Sequence, residues 1–170
     1  MRETGDLPSP EQVAERAGVS RRSVFRHFND MSALAQEAMT LQRAEVAERF
    51  MPLPLPEGDV AERVEALVDN RADIYEFIMP LRRIAERRRH EAPHVERGIT
   101  DGRKFFRAHV EVLFKDFLPT DRRQRGDVLN ALEQISSWSA WRTLRDDQGC
   151  SIAQAKRVVN RTLLALLDDP

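Results

Sequence analysis

The sequence is poor in cysteine, glycine and tyrosine. Its 170 residues include one cysteine, seven glycines and one tyrosine. The single thiol, Cys150, excludes an intramolecular disulfide framework, and no cysteine–histidine cluster points to a structural zinc. No alternating apolar run is bounded by turn residues, so half-buried strands are not expected. No stretch approaches the ~20 apolar residues that cross a bilayer. The opening Met1-Arg2-Glu3-Thr4-Gly5-Asp6 lacks the apolar stretch of a secretion signal, which makes a soluble cytoplasmic protein the expectation. Catalytic patterns are missing as well. His27, His90, His94 and His109 form no metal-ligand spacing, and neither a glycine-rich phosphate loop nor a nucleophile elbow is present. Neither an enzyme nor a cofactor or metal site is expected. The formal net charge of −1 means that any nucleic-acid binding must come from a local patch.

What is there is helix-forming. Alanine, leucine, glutamate and arginine are abundant, and hydrophobic residues make up 41% of the chain, enough for a real core. Ser9 followed by Pro10, with Gln12 three positions on, predicts a capped helix that stops at Gly18. Ser20 is expected to cap a second helix over 21–28 and Asp30 a third over 31–50. Pro52, Pro54 and Pro56 alternate and cannot be helical, so 52–58 reads as a stiff link. The domains expected from this are 1–51, the link, and 59–170. Helices are expected near 59–79, 80–90, 94–117, 121–146 and 151–167, with Thr120 and Ser151 as caps and Gln154 completing a second capping box. The fold class is all-α.

The segment from Gln12 to Phe28 has helix-turn-helix chemistry. Small Ala14 allows close helix approach, Gly18 makes the turn, and Val19 and Val24 are expected to bury the junction. The second helix carries Ser20, Arg21, Arg22, Ser23, Phe25, Arg26 and His27, and from Arg16 to Phe28 there are four arginines and no acid. Such a local charge suits phosphate contact; the bland alternative is a helical hairpin with a solvated arginine face. The string VAERAGVSRRSVFRHF, followed by Asn29-Asp30-Met31-Ser32-Ala33-Leu34, resembles the second, third and early fourth helices of TetR-family regulators over about the first 40 residues. The resemblance implies that Arg21, Arg22, Ser23 and Phe25 face the DNA groove and that His27 contacts its backbone. Phe25 stands where the family often has tyrosine and Met31 where it often has lysine, both of which weaken backbone contacts. The family carries a first helix before the turn that corresponds here to Gly5-Asp6-Leu7; the sequence starts at Met1 with no room for it, so a loosely held reading head is expected.

The C-terminal half carries two polar residues on apolar faces. Val64, Leu67, Ile74, Tyr75 and Ile78 form one stripe with Arg71 in its middle, and His109 shares a face with Phe106, Val110, Leu113 and Phe117. Arg71 reads either as half of a buried or snorkelling ion pair or as an anchor for an anionic or polar effector; His109 reads as a satisfied core histidine or a ligand contact. By the same resemblance, Arg71, Tyr75, Phe105, His109 and Trp138 would line an effector cavity. The last two helices carry stripes, Val128, Ala131, Leu132, Ile135, Ser139 and Arg142 on one and Ile152, Ala155, Val159, Leu163 and Leu166 on the other. The resemblance implies a homodimer through Leu132, Ile135, Ser139, Val159, Leu163 and Leu166; the alternative uses each stripe within one copy. The basic run of Arg82, Arg83, Arg87, Arg88 and Arg89 reads as a solvated face or a second phosphate surface, and Cys150 as inert. The function implied is a repressor that binds double-stranded operator DNA and is released by a small molecule. The competing reading is a dimeric ligand-binding module with impaired DNA binding.

Overall fold

The computed structural model describes residues 9–28, 31–87 and 93–168. Among them every regular element is helical: α1 (Pro10–Ala17), α2 (Arg21–His27), α3 (Met31–Phe50), α4 (Val60–Arg87), α5 (Pro93–Leu113), α6 (Arg122–Ile135), α7 (Trp138–Arg142), a π-helical turn (Thr143–Asp147) and α8 (Ile152–Asp168). The Asp30 cap, Arg88, Arg89, His90 and the Gly5–Leu7 stretch lie outside the described residues, as do the side chains of Met31, Arg87 and His94.

Local chemistry explains most helix ends. The Ser9 hydroxyl accepts from Gln12 N while Gln12 Oε1 accepts from Ser9 N at 2.8 Å, so two orphan amides are satisfied reciprocally. Ser151 and Gln154 repeat the device at α8. Gly18 ends α1 with φ of 65°, a left-handed conformation that glycine adopts without a Cβ penalty.

Three expectations need correction. The pair of helices expected to be broken at Pro80 is one helix over the described residues: α4 (Val60–Arg87) runs for 28 residues straight through it. The missing N–H of Pro80 costs one backbone bond, but Met79, Leu81, Ile84 and Ala85 beside it are all buried, and their packing holds the helix together. The stretch 121–146 is three elements, not one. Ser136 turns its hydroxyl onto Leu132 O at 2.7 Å, and Ser137 accepts from Ala140 N, so the serines end α6 and cap α7. The α6 cap is Asp121, which accepts from Arg123 N and Gln124 N, rather than Thr120.

The chain divides into two compact units, one of Met1–Arg49 with Phe77–Arg97 and one of Phe50–Glu76 with Gly98–Pro170. In the first, Arg49 lies 4.9 Å from the ring centre of Phe77. The second holds the larger core, with Val64, Leu67, Ile74, Leu113, Phe114, Leu132 and Leu163 almost fully buried.

Candidate functional site

In the first unit, α1 and α2 are joined by the three-residue turn Gly18–Ser20. Val19 N donates to Ala14 O at 3.0 Å, and Ser20 starts α2 by accepting from Ser23 N at 3.1 Å. Ala14 and Val24 are buried where the helices meet, as their sizes require. Val19 is not: it is 46% exposed, because it sits in the turn itself rather than on either facing surface.

The second helix shows a polar, basic face. Ser20, Arg21, Arg22, Phe25, Arg26 and His27 are exposed and Ser23 is half-buried. Arg21 is the most constrained of them. Its guanidinium pairs with Glu11 of α1 at 2.9 Å and lies 5.7 Å from the Phe25 ring centre. The bond from Glu11 to its own backbone, then Ser9, and then Arg21 hold the Glu11 carboxyl below its ordinary range. Arg22 and Arg26, with His27 beside them, complete the exposed face, and this arrangement defines a helix-turn-helix head of the kind that reads DNA. Residues 9–38 match the family model of the bacterial regulatory proteins of the tetR family. Residues 9–38 thus carry a DNA-binding segment of the TetR type at the N-terminal end, which supports a transcriptional regulator of that family. No curated protein and no solved structure matches the chain.

The second unit gathers four of the five residues expected at an effector site. Arg71, Tyr75, His109 and Trp138 are all buried. Tyr75 packs edge-on against Phe106 and against Trp138, with ring centres 6.1 and 5.9 Å away, and donates its hydroxyl to Ser136 O at 2.9 Å. Phe105 does not join them. It is 49% exposed, and the inward ring is its neighbour Phe106, which shares the face of His109 and Val110. The Arg71 guanidinium stacks on Phe106 at 4.1 Å.

Arg71 has no salt bridge with any described residue. Nη1 donates to Asn70 Oδ1 at 2.9 Å, Nη2 donates to His109 Nδ1 at 2.9 Å and, more distantly, to Phe106 O at 3.5 Å, and Nε has no partner. Burial lowers its pKa to about 10, so it remains a cation at neutral pH. An arginine can only donate, so His109 Nδ1 is the acceptor and Nε2 carries the proton, donating to Pro54 O at 2.8 Å. His109 is thus fixed as one neutral tautomer between a cation and a carbonyl.

Burial pushes the His109 imidazole below its ordinary range; Pro54 partly opposes this and Arg71 reinforces it. Below the unfolded value of about 6.5 the unfolded chain takes up a proton that the folded imidazole refuses. Stability should therefore fall as pH drops from 7 through that value toward the lower folded one. His109→Gln offers an acceptor and a donor without titrating, so its urea midpoint should decline less between pH 7 and pH 5 than that of the parent. Parallel declines would show that His109 takes no part.

The residues expected at a dimer interface divide. Leu132, Val159 and Leu163 are buried within the unit, Ile135 and Leu166 are half-buried, and Ser139 is exposed. The inward row of α8 is Ala155, Val159, Leu163 and Leu167, spaced by four, and Leu166 falls beside it. Of the two stripes, Leu132, Ala155, Val159 and Leu163 are the members buried within the single copy. Ile152, at the start of the α8 stripe, is exposed; on the outer side of α8, Val158 is exposed too, and Arg157, Arg161, Leu164 and Ala165 face a groove whose other wall carries Glu65 and Asp69 of α4.

Elsewhere, the half-buried Arg82 pairs with Glu86 at 3.4 Å, and Arg83 is half-buried too, so this part of the basic run is no open phosphate surface. Cys150 is half-buried and its carbonyl accepts from Arg145. The sequence reading missed Glu76, which accepts from Trp141 Nε1 at 2.9 Å and from Arg145 Nε at 2.7 Å. Among the described residues no cluster of metal-ligating side chains occurs, and no helix is long and apolar enough to cross a membrane.

Proposed function

We propose that the chain is a ligand-responsive repressor that binds operator DNA as a homodimer and is released by a small molecule held in its C-terminal part. The observation that carries the DNA-binding half is the exposed basic face of α2 within a segment matching the TetR family. In this reading residues 1–51 form the DNA-binding domain, 52–58 a link, and 59–170 the effector-binding and dimerisation domain. Arg22 and Arg26, with Ser23 and Phe25, enter the major groove, and Ser20 and His27 hold the phosphate backbone. Arg21 must exchange Glu11 for DNA, which lessens its net contribution.

Dimerisation is assigned to the outer face of α8, a revision of the buried stripe. A two-fold axis there brings the basic row of Arg157 and Arg161 opposite Glu65 and Asp69 of the other copy, with Val158 supplying apolar contact. Half-sites on the operator then lie about one helical turn apart or a multiple of it.

Fluorescence anisotropy on a fragment from the neighbouring promoter tests the DNA reading. Arg22→Ala should lose ~1–3 kcal/mol more on the operator than on random DNA if it contacts a guanine through two bonds. His27→Ala should weaken binding to both DNAs by a similar factor. Equal losses for Arg22→Ala would remove its base-reading role, and no preference for any promoter fragment would count against the repressor itself.

A further inference from the structure

Arg71 is the most buried arginine of the second unit, and no carboxylate of a described residue meets it. Arg63, Arg103, Arg107, Arg125, Arg142 and Arg145 in the same unit are all more exposed, and each pairs with an aspartate or glutamate. The partners of Arg71 are an amide oxygen, an imidazole nitrogen and a distant carbonyl, all neutral. Its Nε–H points into the protein with no acceptor. A charge removed from water without a counter-charge is a standing cost to the folded chain. The fold stacks it on Phe106, whose ring packs edge-on against Tyr75 and, beyond it, Trp138, and nothing in the packing of those rings needs a cation.

We propose that Arg71 is the docking point for the carboxylate of a small apolar acid, and that its arrival is passed through His109 to Pro54. This rests on the reading of the chain as a ligand-responsive regulator and names the chemistry of its ligand. The guanidinium presents a parallel pair of donors along its Nε–Nη2 edge, which matches the two oxygens of a carboxylate. The Nε donor on that edge is orphaned, and the Nη2 donor is the one lent to His109. One cation beside a neutral imidazole compensates one negative charge, which favours a monoanion over a doubly charged phosphate. The rings around it suit an aliphatic or aromatic body, and the Tyr75 hydroxyl is already engaged with Ser136 O.

The readout follows from the same bonds. A carboxylate that takes Nη2 removes the donor that fixes His109 Nδ1, and with it the orientation in which Nε2 meets Pro54 O. Pro54 lies in the non-helical segment between Phe50, the last residue of α3, and Val60, the first of α4. Ligand binding thus acts directly on the segment that follows α3.

The test uses the full chain and a panel of benzoate, phenylacetate, octanoate and decanoate, with benzamide, octanol and inorganic phosphate beside them. Binding is read by the thermal midpoint and by tryptophan fluorescence, neither of which needs DNA. At least one carboxylate should raise the midpoint by several degrees, while its uncharged analogue and phosphate do not. Arg71→Met should abolish that rise and unfold at a midpoint no lower than the parent, since it removes an uncompensated charge. For the readout, the active acid should weaken binding to promoter DNA in the parent and in His109→Gln, and lose that effect in His109→Leu while still raising the midpoint. The carboxylate site is overturned if no acid in the panel binds, if an uncharged analogue binds as well as its acid, or if Arg71→Met unfolds many degrees lower. DNA release by an uncharged compound alone would overturn it while leaving the repressor intact. An acid that binds at Arg71 without affecting DNA would overturn the relay and the ligand-responsive reading, with the carboxylate site left standing.

Discussion

Replacing Leu163 with glutamate should unfold the second unit, not merely separate two copies of the chain. Leu163 lies at 0% exposure on the inward row of α8, between Val159 and Leu167 and in a unit that also buries Leu132 completely. The substitution removes a packed side chain and places a carboxylate in the buried core. The first effect costs ~2–5 kcal/mol by analogy with leucine truncation, and the second adds to it. Against a typical total of ~5–15 kcal/mol, the loss consumes most or all of the stability. Circular dichroism should show lost helix or a much lower melting point. Val158→Glu is the informative contrast, because Val158 is 44% exposed on the opposite side of the same helix. Its stability should stay within ~0.5 kcal/mol of the parent. If the outer face of α8 joins two copies, its sedimentation should shift from dimer to monomer at micromolar concentration. A folded, monomeric Leu163→Glu would instead mean that this row faces a partner and that α8 packs otherwise.

That contrast shows what the sequence could and could not decide. A helical wheel identifies an apolar stripe, but it cannot tell whether the same copy or a second one covers it, and for α8 the same copy does. Features set by a few neighbouring residues were legible. The caps at Ser9 and Ser151, the turn at Gly18 and the extent of α3 depend on bonds spanning four residues or fewer. Features in which local preference competes with packing were not. Pro80 should end a helix, yet apolar side chains on both sides carry α4 through it. Ser136 and Ser137 are mild residues inside a helical pattern, yet their hydroxyls divide it. At the buried site, the burial of Arg71 was foreseeable from its stripe, because 3.6-residue periodicity puts it among Leu67, Ile74 and Tyr75. Its lack of a carboxylate was not, because that depends on helices distant in sequence. Phe105 and Phe106 differ by one position, or about 100° around the helix, and the periodicity already favoured Phe106 with Val110 and Leu113 as the inward ring.

Glu76→Ala should be the most damaging change to a half-exposed residue of the second unit. Glu76 joins residues 65 and 69 positions away, accepting from the indole of Trp141 and from the guanidinium of Arg145. Trp141 is 2% exposed, so its N–H would be left without an acceptor in the interior. Arg145, on the π-helical turn, would keep the Cys150 carbonyl but lose its carboxylate. A stranded indole N–H and an unpaired, partly buried guanidinium together cost about 2–3 kcal/mol, less than for a fully dry pair because water reaches this carboxylate. The position magnifies the effect. Tyr75, the preceding residue, donates to Ser136 O at the end of α6, while Glu76 holds Trp141 in α7. Two consecutive residues of α4 thus clamp both sides of the break that the serines make. With one clamp removed, α7 should loosen against α4, and the tryptophan emission should move to longer wavelength before the helix signal melts. Glu76→Gln keeps an acceptor for Trp141 without the charge, so it should lose roughly half as much in urea unfolding. Combining Glu76→Ala with Arg145→Ala should cost at least ~0.5 kcal/mol less than the two single losses summed, because the paired charge leaves with its partner. Additive losses, or a Glu76→Ala midpoint equal to that of the parent, would show that water replaces the carboxylate and that the break between α6 and α7 is held by packing alone.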